Sequence, residues 1–382
     1  MLINSKILAD KCDKHILHDL ENGNVGGGII EVRQNGELKY SKAFGEVNFE
    51  KNDTPTDKTF FRLASMTKPI TTVAALILVD RGVLSLSDTV EKYIPELGSI
   101  SIGKLSENGD IVTLCPAKTK LTVAHLLSHS SGMGCLELGT KTDNNMSATD
   151  KATLENAVKY YSTVPLAFEP GSKASYSPTA AFNVLARIIE IVSGKSFDEF
   201  LKIEIFDKLG MTDTTFDPTE EQWQRMIYMH NKSDGKSVQH PTTENCVFFD
   251  FPNSQTCGGA GLASTMSDYR KFAEMLLNDG EYNGVRIVSK ESIFKMRTPQ
   301  VSAEIMPRNN ERWGLGVRVI TSPDYKRLPV GAYGWSGAYG SHFFVDPVNK
   351  ITAIYMKNSR YDGGSGTKTG AQLEQDIFES LE

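Results

Sequence analysis

The sequence predicts an α+β protein: a sandwich of one antiparallel sheet flanked by helices, built from both chain ends, with a mainly helical lobe inserted between them. Three observations predict it. Strand patterns lie towards the two termini, helical patterns fill the middle, and the βαβα alternation of a doubly wound sheet is missing. The chain, 1–382, then reads as a single domain, with a sheet lobe over about 1–64 plus 258–382 and a helical lobe over about 65–257. With 40% of its residues hydrophobic, it has enough apolar material for a large two-lobed core.

The elements follow in chain order. In MLINSKILADKCDKHILHDLENG the apolar positions Ile7, Leu8, Ile16, Leu17 and Leu20 are interrupted by charges, as in a docking helix and unlike a secretory leader. GGGIIEVRQNGELKYSKAFGEVN reads as a β-hairpin, because Asn35-Gly36 suits a type I′ turn with positive φ at both central residues. Helical patterns follow in MTKPITTVAALILVDRG, LTVAHLLSHS, KATLENAVKYYST, SPTAAFNVLARIIEIVSG and SFDEFLKIEIFDKLG. Gly82, Gly194 and Gly210 stand where helix C-caps are expected. Strand character returns in RWGLGVRVI and SHFFVDPVNKITAIYMKN, with GVRIVS a shorter candidate, and the amphipathic GAQLEQDIFESLE closes the chain. The stretches 101–118, 134–150 and 228–257 read only as long loops.

Composition excludes several classes. A net charge of −6 without basic clusters gives no footprint for nucleic acid or anionic lipid. No segment approaches the roughly 18 apolar residues of a membrane span, and a cytoplasmic location is the expectation. Cys12, Cys115, Cys135, Cys246 and Cys257 are scattered, without CxxC pairs, so neither a disulfide framework nor a zinc site is expected. His125 and His129 are four apart but lack the glutamate of HExxH; they read as histidines packed beneath a site. GGAGL at 258–262 lacks GxGxxG and reads as a tight turn lining a cleft. No Gly-x-Ser-x-Gly elbow occurs. Neither metal nor cofactor is expected, and oligomeric state is not legible.

FRLASMTKPITTVAALILVD places Ser65 and Lys68 three apart where polar loop gives way to apolar helix. Pro69 suits the first helical turn, where backbone N–H groups lack intrahelical partners. Ser65 and Lys68 then share one face. Serine becomes nucleophilic beside a base, and a lysine serves once burial and the positive helix end favour its neutral form. The plain alternative is a helix-capping serine and a solvated lysine. Ser-x-x-Lys recurs in SIGK, SDGK, SIFK and SGTK, but only Ser65 precedes a long apolar helix that anchors it. Tyr176 sits in a polar turn before another apolar helix, and GAYGWSGAYGSHFFVDP is a small-residue turn that lets backbone approach a ligand.

Together FRLASMTKPIT, LTVAHLLSHSSGM, FEPGSKASYSPTAAFNVLARIIEIVSGKSFDEFL, GGAGLASTMSDYRKFAEMLL and GWSGAYGSHFFVDP resemble the serine β-lactamase and penicillin-binding superfamily, in its class C-like branch. The resemblance runs from about Gly26 to the C-terminus and implies the β-lactamase/transpeptidase-like fold. It implies Ser65 as the acylated nucleophile, Lys68 as general base or proton relay, and Tyr176 as the proton shuttle. It also implies an oxyanion hole from the backbone N–H groups of Ser65 and Ala338, and a third motif at Trp335, Ser336 and Gly337. Either Lys68 or Tyr176 can take the first proton.

Two departures from the pattern bear on substrate. Pro178 stands at the asparagine position of Tyr-x-Asn, and its side chain cannot hydrogen-bond an amide. Trp335 replaces the lysine of Lys-Thr-Gly and favours an apolar or aromatic group over a carboxylate; the Trp-x-Gly form resembles family VIII carboxylesterases. A literal Lys368-Thr369-Gly370 precedes the terminal helix and reads as coincidence, while Asn358 or Arg360 offers a residual carboxylate contact. The expected function is a cofactor-independent serine hydrolase that forms an acyl-enzyme and cleaves small carboxylic esters, or transfers their acyl group to an alcohol. The competing expectations are a β-lactamase or D-amino-acid peptidase or amidase, and a sensor that is acylated without turnover. The partner is in each case a small-molecule ester or amide.

Overall fold

A computed structural model describes residues 1–48, 53–239, 256–308, 310–364 and 367–382. Its centre is a seven-stranded antiparallel sheet drawn from both ends of the chain. The N-terminal part contributes β1 (Gly27–Gln34) and β2 (Glu37–Gly45). The C-terminal part contributes β3 (Glu311–Trp313), β4 (Arg318–Ile320), β5 (Tyr333–Ser336), β6 (His342–Asp346) and β7 (Ile351–Lys357). The order is β3-β4-β5-β6-β7-β1-β2, so the join between chain ends is the β1–β7 pairing, from Gly28 opposite Lys357 to Gln34 opposite Ile351. Strand β1 is buried almost throughout, as its apolar run requires, whereas β2 is an edge strand with only two of its nine residues buried. Asn35 and Gly36 have φ of 54° and 77°, so the hairpin turn is of the kind its sequence demands.

Alternation along β1 divides the packing between two faces. Ile30 and Val32 join Leu8, Cys12 and Ile16 of α1 (Ser5–Glu21) and Leu373 and Ile377 of a C-terminal helix in one apolar cluster. Ile29 faces a larger cluster that contains α2 (Thr67–Asp80), α3 (Ala180–Ser193) and α4 (Met266–Leu277). The C-terminal helix, α5 (Lys368–Glu379), lies against α1, and Lys11–Glu379 at 2.6 Å is one of their contacts. Gly194 and Gly210 end their helices in the left-handed region, at φ 70° and 66°.

RWGLGVRVI, which reads as one strand, forms two. Gly314–Gly316 reverses the chain so that Trp313 pairs with Arg318. Gly316 has φ 65°, and a Cβ there would lie 2.0 Å from Thr72 Oγ1, so the reversal presses against α2 where no side chain fits. The stretch 101–118 is also structured: Ser101–Leu105 pairs with Ile111–Pro116 in a hairpin. Leu136–Asn145 is helical, and His230–Ser233 pairs with Lys236–Gln239. Cys246 and the rest of 240–255 lie outside the described residues. Among the described residues no helix is long and apolar enough to cross a membrane, no three potential ligands gather as a metal site, and Cys12, Cys115, Cys135 and Cys257 are free thiols.

His230 ties three segments together. Its Nε2 donates to Gly23 O at 3.2 Å, its Nδ1 accepts from Ser359 Oγ at 2.9 Å, and its backbone N–H donates to Asn358 O. Burial pushes the imidazole pKa down to about 4, with Lys357 adding to the effect. The folded protein therefore binds fewer protons here than the unfolded chain. The contribution to stability is complete above the unfolded value near 6.5 and is lost as pH falls towards 4. Urea midpoints measured from pH 7 to pH 4 should fall on acidification. They should fall less steeply in His230→Gln, which cannot titrate; equal slopes would contradict this account.

Candidate active site

The segment that leads to Ser65 is fixed before it arrives. Phe61–Arg62 pairs with Ala263–Ser264, and Leu63 N–H donates to Leu262 O at 2.8 Å. Ala64 then takes φ 45°, a left-handed conformation that costs an L-residue about 1–2 kcal/mol. The sharp bend starts the short 3₁₀ turn Ala64–Met66, which runs directly into α2. Pro69 falls in the first turn of α2, as its missing N–H allows. Tyr269 hydroxyl caps the turn by donating to Met66 O at 3.1 Å.

Lys68 is fully buried on the same helix. Its Nζ lies 3.3 Å from Ser65 Oγ and donates to Pro178 O at 2.6 Å and Gly259 O at 2.8 Å. Tyr176, 111 positions after Ser65, donates its hydroxyl to Ser65 Oγ at 2.6 Å. Lys68 Nζ also lies 4.9 Å from the centre of the Tyr176 ring. The three side chains named from the sequence thus meet. The rival Ser-x-x-Lys segments do not resemble this arrangement: SIGK starts a strand, SDGK makes a hairpin turn, and Ser292 of SIFK donates to Asp80 at 2.6 Å. SGTK falls partly outside the described residues.

Two glycines missed as functional signals shape this corner. GGAGL begins with a turn, as expected, but its residues are not on the cavity wall, and its contribution is a carbonyl acceptor for Lys68. A Cβ on Gly259 would sit 2.7 Å from Pro178 O, and one on Gly258 would sit 2.2 Å from Phe182 O. Gly259→Ala is therefore expected to wedge apart the two carbonyls that hold Lys68. Labelling of Ser65 by a fluorophosphonate should slow by about 10- to 100-fold with the circular dichroism spectrum unchanged. Labelling at the wild-type rate would contradict this. Pro178, unable to use its side chain, takes part through its backbone oxygen.

The sequence suggests that His125 and His129 both lie beneath the site, and of the two His129 does. Its ring centre is 4.8 Å from that of Tyr176 and 4.4 Å from that of Trp313, and its Nδ1 accepts from Ser177 N–H at 3.2 Å. Burial, reinforced by the charge of Lys68, pushes its pKa well down and keeps it neutral. His125 instead closes a helix N-terminus, where its Nδ1 accepts from Thr122 N–H.

The third motif lies at the end of β5. Gly337 passes so close to Leu63 that a Cβ would be 2.3 Å from Leu63 O, which brings the turn at Ala338 beside the Ser65 segment. Among the described residues the Ala338 N–H meets no acceptor. The Ser65 N–H is in the opening turn of a helix, where no intrahelical partner exists. Trp335 is buried against Tyr176, with ring centres 5.3 Å apart, and meets Trp313 edge-on at 4.7 Å. Ser336 Oγ bonds His342 Nδ1 at 2.8 Å, and His342 Nε2 lies 3.2 Å from Glu374 Oε1.

A cavity of about 480 Å³ joins these groups. It is lined by Ser65, Tyr176, Trp335, Ser336 and Ala338, and also by residues that sequence reasoning passed over: Trp313 and the charged side chains of Arg308, Glu311, Arg318, Arg327 and Glu374. The only sequence signal of the charged ones was charge in or near strands or, for Glu374, in the terminal helix, which ordinarily marks a solvated face. Asn358 does not supply the residual carboxylate contact. It is buried, with Oδ1 accepting from Arg62 N–H and Nδ2 donating to Arg62 O and Lys357 O. Arg360 is exposed and absent from the cavity lining. Lys368-Thr369-Gly370 opens α5, and Thr369 Oγ1 donates to Asp362.

The sequence profile of the family described as Beta-lactamase matches residues 12–376. Esterase EstB of Burkholderia gladioli is 26% identical over 392 aligned positions, covering 96% of this chain and 94% of the relative. The D-alanyl-D-alanine-carboxypeptidase/endopeptidase AmpH of Escherichia coli K12 is 29% identical, covering 91% and 83%. Among solved structures, EstCE1, described as a hydrolase with promiscuous acyltransferase activity, superposes with a TM-score of 0.82 at 22% identity, covering 98% of this chain and 99% of its own.

Proposed function

The chain belongs to the Beta-lactamase family, and from that premise we propose that it is a serine hydrolase acting through an acyl-enzyme at Ser65 on small carboxylic esters, with acyl transfer to an alcohol as the variant second step. One observation carries the reading: Ser65 Oγ, on the cavity wall, is within 2.6 Å of the Tyr176 hydroxyl and 3.3 Å of Lys68 Nζ. In its neutral form the Lys68 amine has two N–H bonds, matched by Pro178 O and Gly259 O, and a lone pair free for the serine proton.

The steps follow from the geometry. Ser65 yields its proton to the Lys68–Tyr176 pair while Oγ attacks the ester carbonyl carbon. The negative oxygen of the tetrahedral intermediate is received by the N–H groups of Ser65 and Ala338, each such donor being worth about 2.7–4 kcal/mol. The C–O bond to the alcohol breaks as Tyr176 hands that oxygen a proton. Water, or an acceptor alcohol, then gives its proton to the same pair, attacks the acyl carbon, and expels Ser65 Oγ, which is reprotonated.

Ester preference over lactam or peptide is supported by Pro178 and Trp335, which remove two polar side chains that would address an amide and a carboxylate beside Ser65. The peptidase reading has the identity to AmpH in its favour. Comparing kcat/KM for 4-nitrophenyl butyrate, nitrocefin and a D-alanyl-D-alanine peptide decides. The ester should win by orders of magnitude, and a win for either rival would overturn the preference. Intact-mass measurement during turnover should show a transient acyl adduct; a permanent adduct without product would instead identify an acylated sensor.

A further inference from the structure

The charged wall of the cavity has no part in the steps above, and its hydrogen-bonding inventory is lopsided. Three guanidiniums, Arg308, Arg318 and Arg327, meet two carboxylates, Glu311 and Glu374, which leaves one positive charge in excess. Three of the four carboxylate oxygens accept a hydrogen bond or lie within reach of one, and the fourth, Glu311 Oε2, faces a guanidinium. Glu374 Oε1 receives Arg318 and has His342 Nε2 at 3.2 Å; its Oε2 receives the Tyr325 hydroxyl at 2.8 Å and has Arg327 Nε at 3.7 Å. Glu311 Oε1 receives Arg308 at 2.6 Å, and Arg318 lies 3.7 Å from its Oε2.

The donors are not used up in the same way. Each guanidinium offers five N–H bonds. Arg327 spends one on the Tyr325 hydroxyl at 2.7 Å, and it and Arg308 are partly exposed, so a ligand can reach both. Such a wall has more donors to offer a ligand than acceptors. The N-terminal end of α5 adds to the same sign of potential, since Thr367 and Gly370 line the cavity with its positive end.

We propose that this wall selects esters bearing a carboxylate, held by Arg308 and Arg327 while the ester carbonyl lies at Ser65. The inference rests on the hydrolase reading and narrows its substrate class. It also revises what the loss of lysine at position 335 implies. Position 335 supplies no cation, but cationic groups stand elsewhere in the same cavity.

The test uses two pairs of neutral and anionic esters, one for each side of the scissile bond. Mono-4-nitrophenyl glutarate is set against 4-nitrophenyl pentanoate for a carboxylate on the acyl group. The butyrate ester of 4-hydroxybenzoate is set against that of 4-hydroxybenzamide for one on the alcohol. In at least one pair the anionic ester should be preferred in kcat/KM by about ten- to hundredfold, the value of a charge-assisted bond. That ratio should collapse in Arg308→Gln/Arg327→Gln. Because both esters are read on one preparation, a partly folded variant leaves the ratio intact. Ratios near one in both pairs, with turnover abolished in Ser65→Ala, sink the carboxylate inference alone. A high ratio that survives in the double variant also sinks it. Turnover that persists in Ser65→Ala removes the hydrolase reading and this inference together.

Discussion

Replacing Ser65 by alanine is expected to lower kcat for a 4-nitrophenyl ester by between about 10⁴- and 10⁶-fold, the range found when a covalent catalytic unit loses a member. Lys68→Ala should cost about 10²- to 10⁴-fold, because Tyr176 still reaches Ser65 Oγ at 2.6 Å. In the proposed mechanism the three groups act on one proton, so their losses should not add. The Ser65→Ala/Lys68→Ala double variant should be no slower than Ser65→Ala alone. An additive double variant would mean that Lys68 acts on something other than Ser65. Folding serves as the control, since Ser65→Ala removes one small hydroxyl and should leave the urea midpoint nearly unchanged. A variant that kept full turnover would end the assignment.

The second large effect is on stability. Arg318 and Glu374 are 8% and 1% exposed and bonded to each other. Burial by itself pushes the Glu374 carboxyl up, but the charge of Arg318, with His342, overrides it and holds the group well below the usual carboxylate range. Glu374→Ala strands a buried guanidinium, and breaking such a pair costs about 3–5 kcal/mol. Glu311, 3.7 Å from Arg318, places the expectation at the lower end of that range. A depressed carboxyl contributes its full stability above its unfolded value and loses it progressively as pH falls from there towards the folded one. The gap between wild type and variant should therefore be full from about pH 5 upward and narrow on acidification. Urea unfolding at pH 7 and pH 4 measures both. Removing both partners together, in Arg318→Met/Glu374→Leu, should recover most of the loss, since no charge is then stranded. A Glu374→Ala midpoint equal to wild type would show that the pair contributes nothing.

How much of this was legible in the sequence depended on the range of the interaction involved. The β1–β2 hairpin was readable because a type I′ turn is specified by two adjacent residues, Asn35 and Gly36. Helices α2 and α3 were readable because apolar runs and capping glycines are local. The strand character of RWGLGVRVI was readable, but not its division into two strands. Its break at Gly314–Gly316 is enforced by α2, more than two hundred positions away, where Thr72 leaves no room for a side chain. The stretch 101–118 was unread because its hairpin has weak alternation and a mostly exposed second strand.

The site divides in the same way. Ser65, Lys68, Tyr176 and the segment 335–338 are marked in the sequence by motifs whose residues are close neighbours along the chain, and by the order of those motifs. Sequence alone therefore determined the sheet-and-helix architecture and the absence of basic and membrane-spanning signals, and it marked Ser65 as candidate nucleophile with Lys68 and Tyr176 as its candidate partners. Only the tertiary structure decided that Gly259 and Pro178 hold Lys68 through their carbonyls, and that Asn358 is spent on backbone. It alone gathered Arg308, Arg318, Arg327 and Glu374 around the same cavity. Backbone carbonyls carry no residue identity, and charges far apart in the chain carry no mark of which will be neighbours, so no local pattern could have announced either.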